Sequence, residues 1–482
     1  MPCEPRRHRE DNELRTWSIE TARKTLGIPL AAAVLAIVLL MGPFPGLSSD
    51  GQKAVALFAA VFILYTTEAV PLAVTSVGIV PAIVILHLGK VGEALSGFAA
   101  PSVYLMLGAF ILASAMVTTG LGQRVSYIIL KKIGCTAFNV TLGITVANVL
   151  LAFFVPSTTA RTLVLLPTCL SIIRLFSEEK RSKFAINLLL TLSFTNATIS
   201  AGIFTASPPN LITADFMAKA DAATSYLEWL IYGLPPAAVM TFLTWGYIQW
   251  YYKPEKQTIE GGDAFIAKGL AEMGKVTPAE WRVLAVFLLI VTLWAIGDRI
   301  GIDTSTACLI GVVLLMAPKF GVIHWAEASR EVNWGVLMVC GGGLSMGSVL
   351  IKTGAAKWIS TTVFGALGLS SVSPMILLLI LMVVAQFMHL LFAATTSMAA
   401  ALLPIVLALV QSNGMDMRQT MLAMGMIIGG YPLLMFYNTL PSIVVYGTGK
   451  LEVGDFPRVG IVLCAIACVV YEICAMTYWQ WL

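Results

Sequence analysis

Apolar runs close to the twenty residues that a bilayer-crossing helix needs recur along nearly the whole chain. This feature alone leaves few folds open. Such runs would have to be buried in water, yet only 12% of the 482 residues are charged, about half the share that a soluble globule carries. The runs are too long and too uniformly apolar for barrel strands, which alternate. The chain is therefore expected to be an all-α polytopic membrane protein. Spans are placed near 27–47, 52–70, 72–88, 101–122, 185–204, 226–251, 280–297, 302–317, 334–352, 418–438 and 457–480, about eleven in all.

Two apolar stretches do not fit that count. One is 138–175, broken at "PSTTAR"; the other is 371–411, broken at "FAATTS". Each reads as a re-entrant hairpin, because polar backbone at membrane depth is tolerated only where protein or a water-filled cavity surrounds it. Charge is compatible with this. The segments then placed inside hold about 22 of the 30 Lys and Arg, and those outside about 7, the expected positive-inside bias. Full double spans would leave the later loops oriented the same way, so charge alone does not choose.

Three segments recur in order. "MLGAFILASAMVTTGLGQR" at 106 resembles "MVCGGGLSMGSVLIKTGAAKW" at 338, "PSTTARTLVLLP" at 156 resembles "AATTSMAAALLP" at 393, and "FTASPPNLIT" at 204 resembles "YNTLPSIVVYG" at 437. An odd number of spans between the copies makes them two inverted repeats, and inverted repeats with broken helices mark many secondary transporters. The expected organisation is a cytoplasmic tail over 1–26, part disordered and part interfacial helix, and a first membrane half over 27–251 with hairpin 138–175 and broken helix 185–218. A cytoplasmic linker at 252–279 leads to a second half over 280–482 with hairpin 371–411 and broken helix 418–450. The tail lacks the apolar core and cleavage site of a signal peptide.

The interruptions carry the candidate chemistry. A hairpin tip exposes the unpaired N–H groups of a helix start, which attract anions. Ser157, Thr158 and Thr159 precede one such helix; Ala394, Thr395 and Thr396 stand equivalently before the other. Serine and threonine also cap ordinary helices, so the pairing of the two tips is what points to a ligand. The proline-bearing breaks 205–210 and 438–442 free backbone carbonyls. Ser207, Asn210, Asn438, Thr439 and Ser442 add side-chain oxygens, making a candidate cation site there, with Na+ as the candidate ion. A simple proline kink is the alternative.

Arg161 opposes the dipole of the helix it opens and lacks an acidic neighbour in sequence, so its expected partner is a bound anion, or else carbonyls at the tip. His389 either lines the site, takes a proton or packs as a hydrogen-bonded core residue. Glu68 reads as structural, a cap or an interfacial carboxylate, and Glu472 as a group near the outer surface. The histidines form no paired metal spacing. Six of the eight cysteines lie in or beside apolar runs and read as small buried hydrophobes, so no cofactor or metal centre is expected beyond Na+. No nucleophile–base pair or polar pore ring supports an enzyme or a channel.

The motifs "TEAVPLAVTSVGIVPAIV", "PSTTARTLVLLP", "ASPPNLI", "GGGLSMG" and "LPSIVVYGTGKL" together resemble the divalent anion/sodium symporter family, in the family's order and over nearly the whole chain beyond the tail. The resemblance implies transport of dicarboxylates, tricarboxylates or sulfate, a homodimer in the plasma (inner) membrane, and an elevator motion. It also implies a substrate held between Ser-Asn-Thr triplets at the two tips. Pro208 and Thr439 join the implied substrate contacts, and Ser157, Thr158 and Thr395 join the implied cation ligands. Here both triplet asparagines are threonines, Thr158 and Thr395, and the second "PPN" is Leu440-Pro441-Ser442. That departure weakens the case for sodium coupling. It brings the chain nearer in motif to the family's dicarboxylate and tricarboxylate exchangers, with a sodium-coupled symporter as the alternative. No nucleic-acid partner is expected.

Overall fold

Prolines, glycines and capping hydroxyls decide where the helices stop. In the computed structural model, residues 6–155, 157–179, 181–368 and 372–482 are described, with side chains from residue 21 onward except that of Asp298. Among them nine helices are long and apolar enough to cross a membrane, and three shorter apolar helices accompany them, Leu72–Ile85, Thr304–Met316 and Pro374–Met388. No strand occurs among the described residues. The chain is an all-helical membrane protein. Leu, Ile, Val and Phe side chains are exposed along many of its helices, as lipid-facing surfaces require.

Several boundaries differ from those expected. The first helix runs from Arg6 to Leu40. Residues 6–26 are thus helical and run without a break into the first span, which is apolar enough to cross a membrane from Thr21 to Leu40, and 1–5 lie outside the described residues. The same helix stops short of 47 because Gly42, Pro43 and Pro45 follow it. The stretch 252–279 is not bare connection: it holds the helix Gly262–Glu272, packed on the helix Leu121–Ile133.

The chain divides into two compact units. The first comprises 1–99, 334–370 and 400–412. Its helices Ser49–Thr67, Leu72–Ile85 and Trp334–Lys352 pack closely because Gly342 has no side chain: a Cβ there would lie 2.7 Å from the Ser76 carbonyl oxygen. Tyr65 and Ser76 hydroxyls meet at 2.8 Å, and the Gly97 N–H donates to Ser345 Oγ. Glu68 ends the helix Ser49–Thr67 in a left-handed conformation, with its N–H donating to the Leu64 carbonyl.

The second unit comprises 100–333, 371–399 and 413–482. At its centre the helix Lys183–Ala201 is buried at every position from Phe184 to Ala201, which is possible only for a helix surrounded on all sides. The stretch 138–175 forms two helices, Ala137–Phe154 and Thr158–Phe176, packed on each other. The start of this pair and the start of the helix that follows it are fastened to one short loop. Ala137 N–H donates to the Gln257 carbonyl and Phe138 N–H to Gln257 Oε1, while Lys183 and Phe184 N–H donate to the Glu255 carboxylate. The chain thus leaves this pair at the end where it entered.

Loops that the alternation of the expected spans puts on one side bond to each other. Arg124 pairs with Glu280 at 2.6 Å and reaches the carbonyls of Met273 and Gly274. Asp455 accepts from Arg181 and from the Tyr252 hydroxyl. From the other set, Ser305 donates to the Pro101 carbonyl, and Arg418 pairs with Glu228.

Candidate functional site

The first tip is built by helix capping. Ser157 accepts the Ala160 N–H at 3.2 Å and starts the helix Thr158–Phe176; the preceding Pro156 lies outside the described residues. Thr158 and Thr159 are half-buried beside it. One turn in, Arg161 is fully buried (0% exposed). Its Nη2 donates to Ser200 Oγ at 2.5 Å, while Nε and Nη1 have no partner among the described residues. Asn196 donates to the Thr158 carbonyl at 2.7 Å and to Thr162 Oγ1 at 2.8 Å, which ties the tip to the central helix.

That central helix breaks after Ala201. Residues 202–207 turn through a short 3-10 segment, and Pro208 and Pro209 open the helix Pro208–Ala218. Pro is well placed there, since the first turn has N–H groups without partners in any case. Asn210 repairs part of the break by donating to the freed carbonyls of Ser200 (2.8 Å) and Ile203 (2.9 Å). Its Oδ1 has no partner, and neither have Thr205 Oγ1 and Asn196 Oδ1, all buried among the described residues. The helix Met417–Gly430 receives this break through a glycine face. A Cβ at Gly429 would lie 3.3 Å from Asn210 Oδ1 and from Ser207 Oγ.

The second half is arranged otherwise. The helix Pro374–Met388 ends at His389; residues 389–394 turn, and Thr395 opens the helix Thr395–Asn413. Thr395 is half-buried, Thr396 is buried, and the Ala394 carbonyl accepts from Ser397 and Met398. Asn438 holds this tip. Its amide donates to the carbonyls of His389 and Phe392, and its Oδ1 accepts the Met435 N–H. Thr439 Oγ1 donates to Ser442 Oγ, which meets Ser193 Oγ of the central helix at 2.9 Å. The helix Leu440–Tyr446 also packs on the first tip helix Thr158–Phe176. The structure therefore joins first tip, central helix, second break and second tip in one hydrogen-bonded sequence, and every residue named above from the interruptions belongs to it or borders it. His389 is buried, with Nε2 at 3.1 Å from the Ile428 carbonyl.

The sequence reading missed Asn196, Ser200 and Ser193, which bind the two tips to the core. The signal was present: "TLSFTNATIS" puts six hydroxyl or amide residues into ten positions of an otherwise apolar span.

The arrangement can hold a small anion. It supplies one buried guanidinium with two free donors and several hydroxyls, and no acidic side chain is paired with Arg161 among the described residues. It contains no His, Cys, Asp and Glu group able to hold a transition metal among the described residues.

Comparison with known proteins agrees with the motifs. Residues 22–482 match the family model described as the sodium:sulfate symporter transmembrane region. The sodium-dependent dicarboxylate transporter SdcS of Staphylococcus saprophyticus is 28% identical over 90% of this chain and 87% of its own length. The citrate/succinate antiporter of Escherichia coli is 27% identical over 76% of each chain. Among solved structures, the YdaH transporter of Alcanivorax borkumensis superposes with a TM-score of 0.55 at 12% identity, over 96% of this chain and 98% of that one. That likeness concerns the fold alone. With a family match over almost the entire length, the chain is a membrane transporter and not an enzyme, and it belongs to the sodium:sulfate symporter family, the divalent anion/sodium symporters that its motifs resemble.

Proposed function

We propose that this protein exchanges small divalent organic anions, dicarboxylates such as malate, succinate and 2-oxoglutarate, or citrate, across the plasma (inner) membrane. The observation that carries the reading is the buried Arg161 guanidinium with two unpartnered donors in the first turn of the tip helix. A charge so placed is costly without a counter-charge, and a carboxylate suits its planar donors. Ser157, Thr158 and Thr159 from one tip, Ala394, Thr395 and Thr396 from the other, and Pro208 and Thr439 from the breaks complete the substrate contacts. Two relatives bear dicarboxylates or tricarboxylates in their names.

Exchange follows from the same charge. An empty carrier has to move with Arg161 uncompensated; a loaded one moves with that guanidinium paired to one substrate carboxylate and the second carboxylate held by the hydroxyls and helix N-termini of the tips, so the loaded form crosses more readily. Alternating access is by elevator-type motion, and the carrier is a homodimer with its N-terminus in the cytoplasm and its C-terminus outside, the sidedness that the Lys and Arg distribution favours.

A second reading, sodium-coupled symport, is favoured by the unpartnered oxygens Asn210 Oδ1, Thr205 Oγ1 and Asn196 Oδ1 at the first break and by the sodium dependence of SdcS. The second break offers less, since Asn438, Thr439 and Ser442 already bond within the protein. Uptake of labelled malate into proteoliposomes decides between them. Exchange requires internal malate and ignores a sodium gradient; accumulation driven by sodium into vesicles holding no exchangeable anion would establish symport instead.

A further inference from the structure

Three helices of the second unit pack on one another: Pro374–Met388, Met417–Gly430 and Asp455–Met476. Between them lie polar groups that the anion site does not use. Glu472 is 92% buried on an 8% exposure, and its Oε2 has no partner among the described residues. One turn earlier on the same face, the Cys468 thiol lies against the Gln386 amide, and neither amide atom makes a hydrogen bond of normal geometry among the described residues. One turn beyond Gln386 is His389, buried, whose Nδ1 has no partner among the described residues. Three buried polar side chains on adjoining helices, each with at least one unsatisfied atom, are an anomaly in a packed core.

We propose that Glu472 is a proton-binding residue of the transport cycle, with Gln386 and Cys468 as its polar surroundings. A carboxylate in a membrane helix without an ion pair is costly as an anion. Taking one proton from water at the near end of its helix makes it neutral, and giving it back restores the anion. No ion pair reaches it among the described residues. The elements packed against its helix carry few charges that could compensate it. The helix Pro374–Met388 has none, and Arg418 and Glu228, from the helices Met417–Gly430 and Tyr226–Tyr251, pair with each other at 3.4 Å. On its own helix, Arg458 and Asp455 stand at the far end, about 21 and 25 Å away at 1.5 Å per residue. The other titratable groups at this end are Cys468, Cys474, Tyr471, Tyr431 and His389, with Tyr232 of the helix Tyr226–Tyr251 and Tyr478 just after its own helix; Tyr431 and Tyr471 bond to each other, and Tyr478 donates to the Ile231 carbonyl.

His389 connects this group to the tip. Its carbonyl is one of the two that Asn438 holds, and its Nε2 is against Ile428 of the neighbouring helix. Protonation at Glu472 thus acts on packing directly behind the second tip. The charged form burdens any movement of these helices through hydrocarbon and the neutral form does not, so exchange should quicken as external pH falls.

Two measurements test this, and only the first rests on the exchange reading. In proteoliposomes, malate–malate exchange is followed across a pH range in which malate stays fully ionised. The wild type should speed up toward low pH; Glu472→Gln should be fast and flat, and Glu472→Asp should keep the slope. A Glu472→Gln profile that tracks the wild type would overturn the proposal. Infrared difference titration of the protein in nanodiscs should show a protonated-carboxyl band that Glu472→Gln removes. If that variant fails to fold, Gln386→Leu should shift the midpoint of the band. An unaltered titration in either variant counts against Glu472 whether or not malate is carried. Absence of malate exchange in every protein would reject the exchange reading, and the infrared result would still decide on the proton.

Discussion

Arg161 Nη2 donates to Ser200 Oγ at 2.5 Å, and Ser200 in turn donates to the Asn196 carbonyl at 2.6 Å. The guanidinium is thereby fixed by one edge to the central helix just ahead of its break, with Nε and Nη1 left over. One hydroxyl orients the cation but does not neutralise it. Arg161→Gln should abolish dianion transport in a protein that still folds. A hydrogen bond to a charged group contributes about 1.5–3 kcal/mol, so losing two free donors costs at least roughly a hundredfold in affinity at about 1.4 kcal/mol per decade. Arg161→Lys should recover only part, because an ammonium lacks the planar fork. Substrate affinity by calorimetry in detergent checks both, and near-normal binding by Arg161→Gln would remove it from the site.

The interruptions were legible because their chemistry is local. Pro208 and Pro209 end a helix wherever they occur, and Ser157 caps the next one through its own neighbour Ala160. What holds these pieces together was not legible. Ser193 meets Ser442 across 249 residues of chain, and Asn438 reaches His389 across 49; neither spacing has a sequence pattern. The span edges near 47 and 438 were overrun for a related reason. Hydropathy continues past Leu40 and Gly430, but the glycines and prolines that follow stop the backbone.

The Arg124–Glu280 pair should be a structural fastening, not part of transport. Both side chains are buried, and Arg124 also covers three carbonyls of the stretch 273–275. Arg124→Met leaves the Glu280 carboxylate without its counter-charge, which costs roughly 3–5 kcal/mol where one member of a buried pair is removed. The double variant Arg124→Met/Glu280→Gln should recover much of that. Thermal unfolding in detergent reads the difference. Equal melting points for the single variant and the wild type would show the pair to be dispensable.

Gly425 marks where the helix Met417–Gly430 approaches the first break most closely. A Cβ there would sit 2.2 Å from Thr213 Oγ1 and 2.9 Å from Thr213 Cβ. Gly425→Ala should therefore cost about 1–3 kcal/mol, as overpacking does. Thr213→Ala removes the nearest atoms along with one hydrogen bond to the Pro209 carbonyl. The two substitutions should couple, the double variant being more stable than the singles sum to, by about 0.5–3 kcal/mol. Strict additivity in a thermal-shift cycle would mean that the helices do not approach as described.

Asn438 is the residue on which the second tip depends. It donates to two carbonyls of the turn, His389 and Phe392, and accepts from Met435. Asn438→Ala removes all three bonds at about 0.5–1.5 kcal/mol each, enough to loosen a turn of six residues without unfolding the protein. Asn438→Asp is the sharper test because it has the same shape. It keeps the acceptor that meets the Met435 N–H, but an ionised carboxylate has no donor, so its other oxygen faces two carbonyl oxygens. The aspartate should therefore free the tip more than the alanine does, despite its closer fit. A cysteine placed at Thr395 reports this: its labelling by a water-soluble maleimide should rise in the order wild type, Asn438→Ala, Asn438→Asp, with malate exchange falling in the same order. An aspartate variant that labels and transports like the wild type would place the hold on the second tip elsewhere.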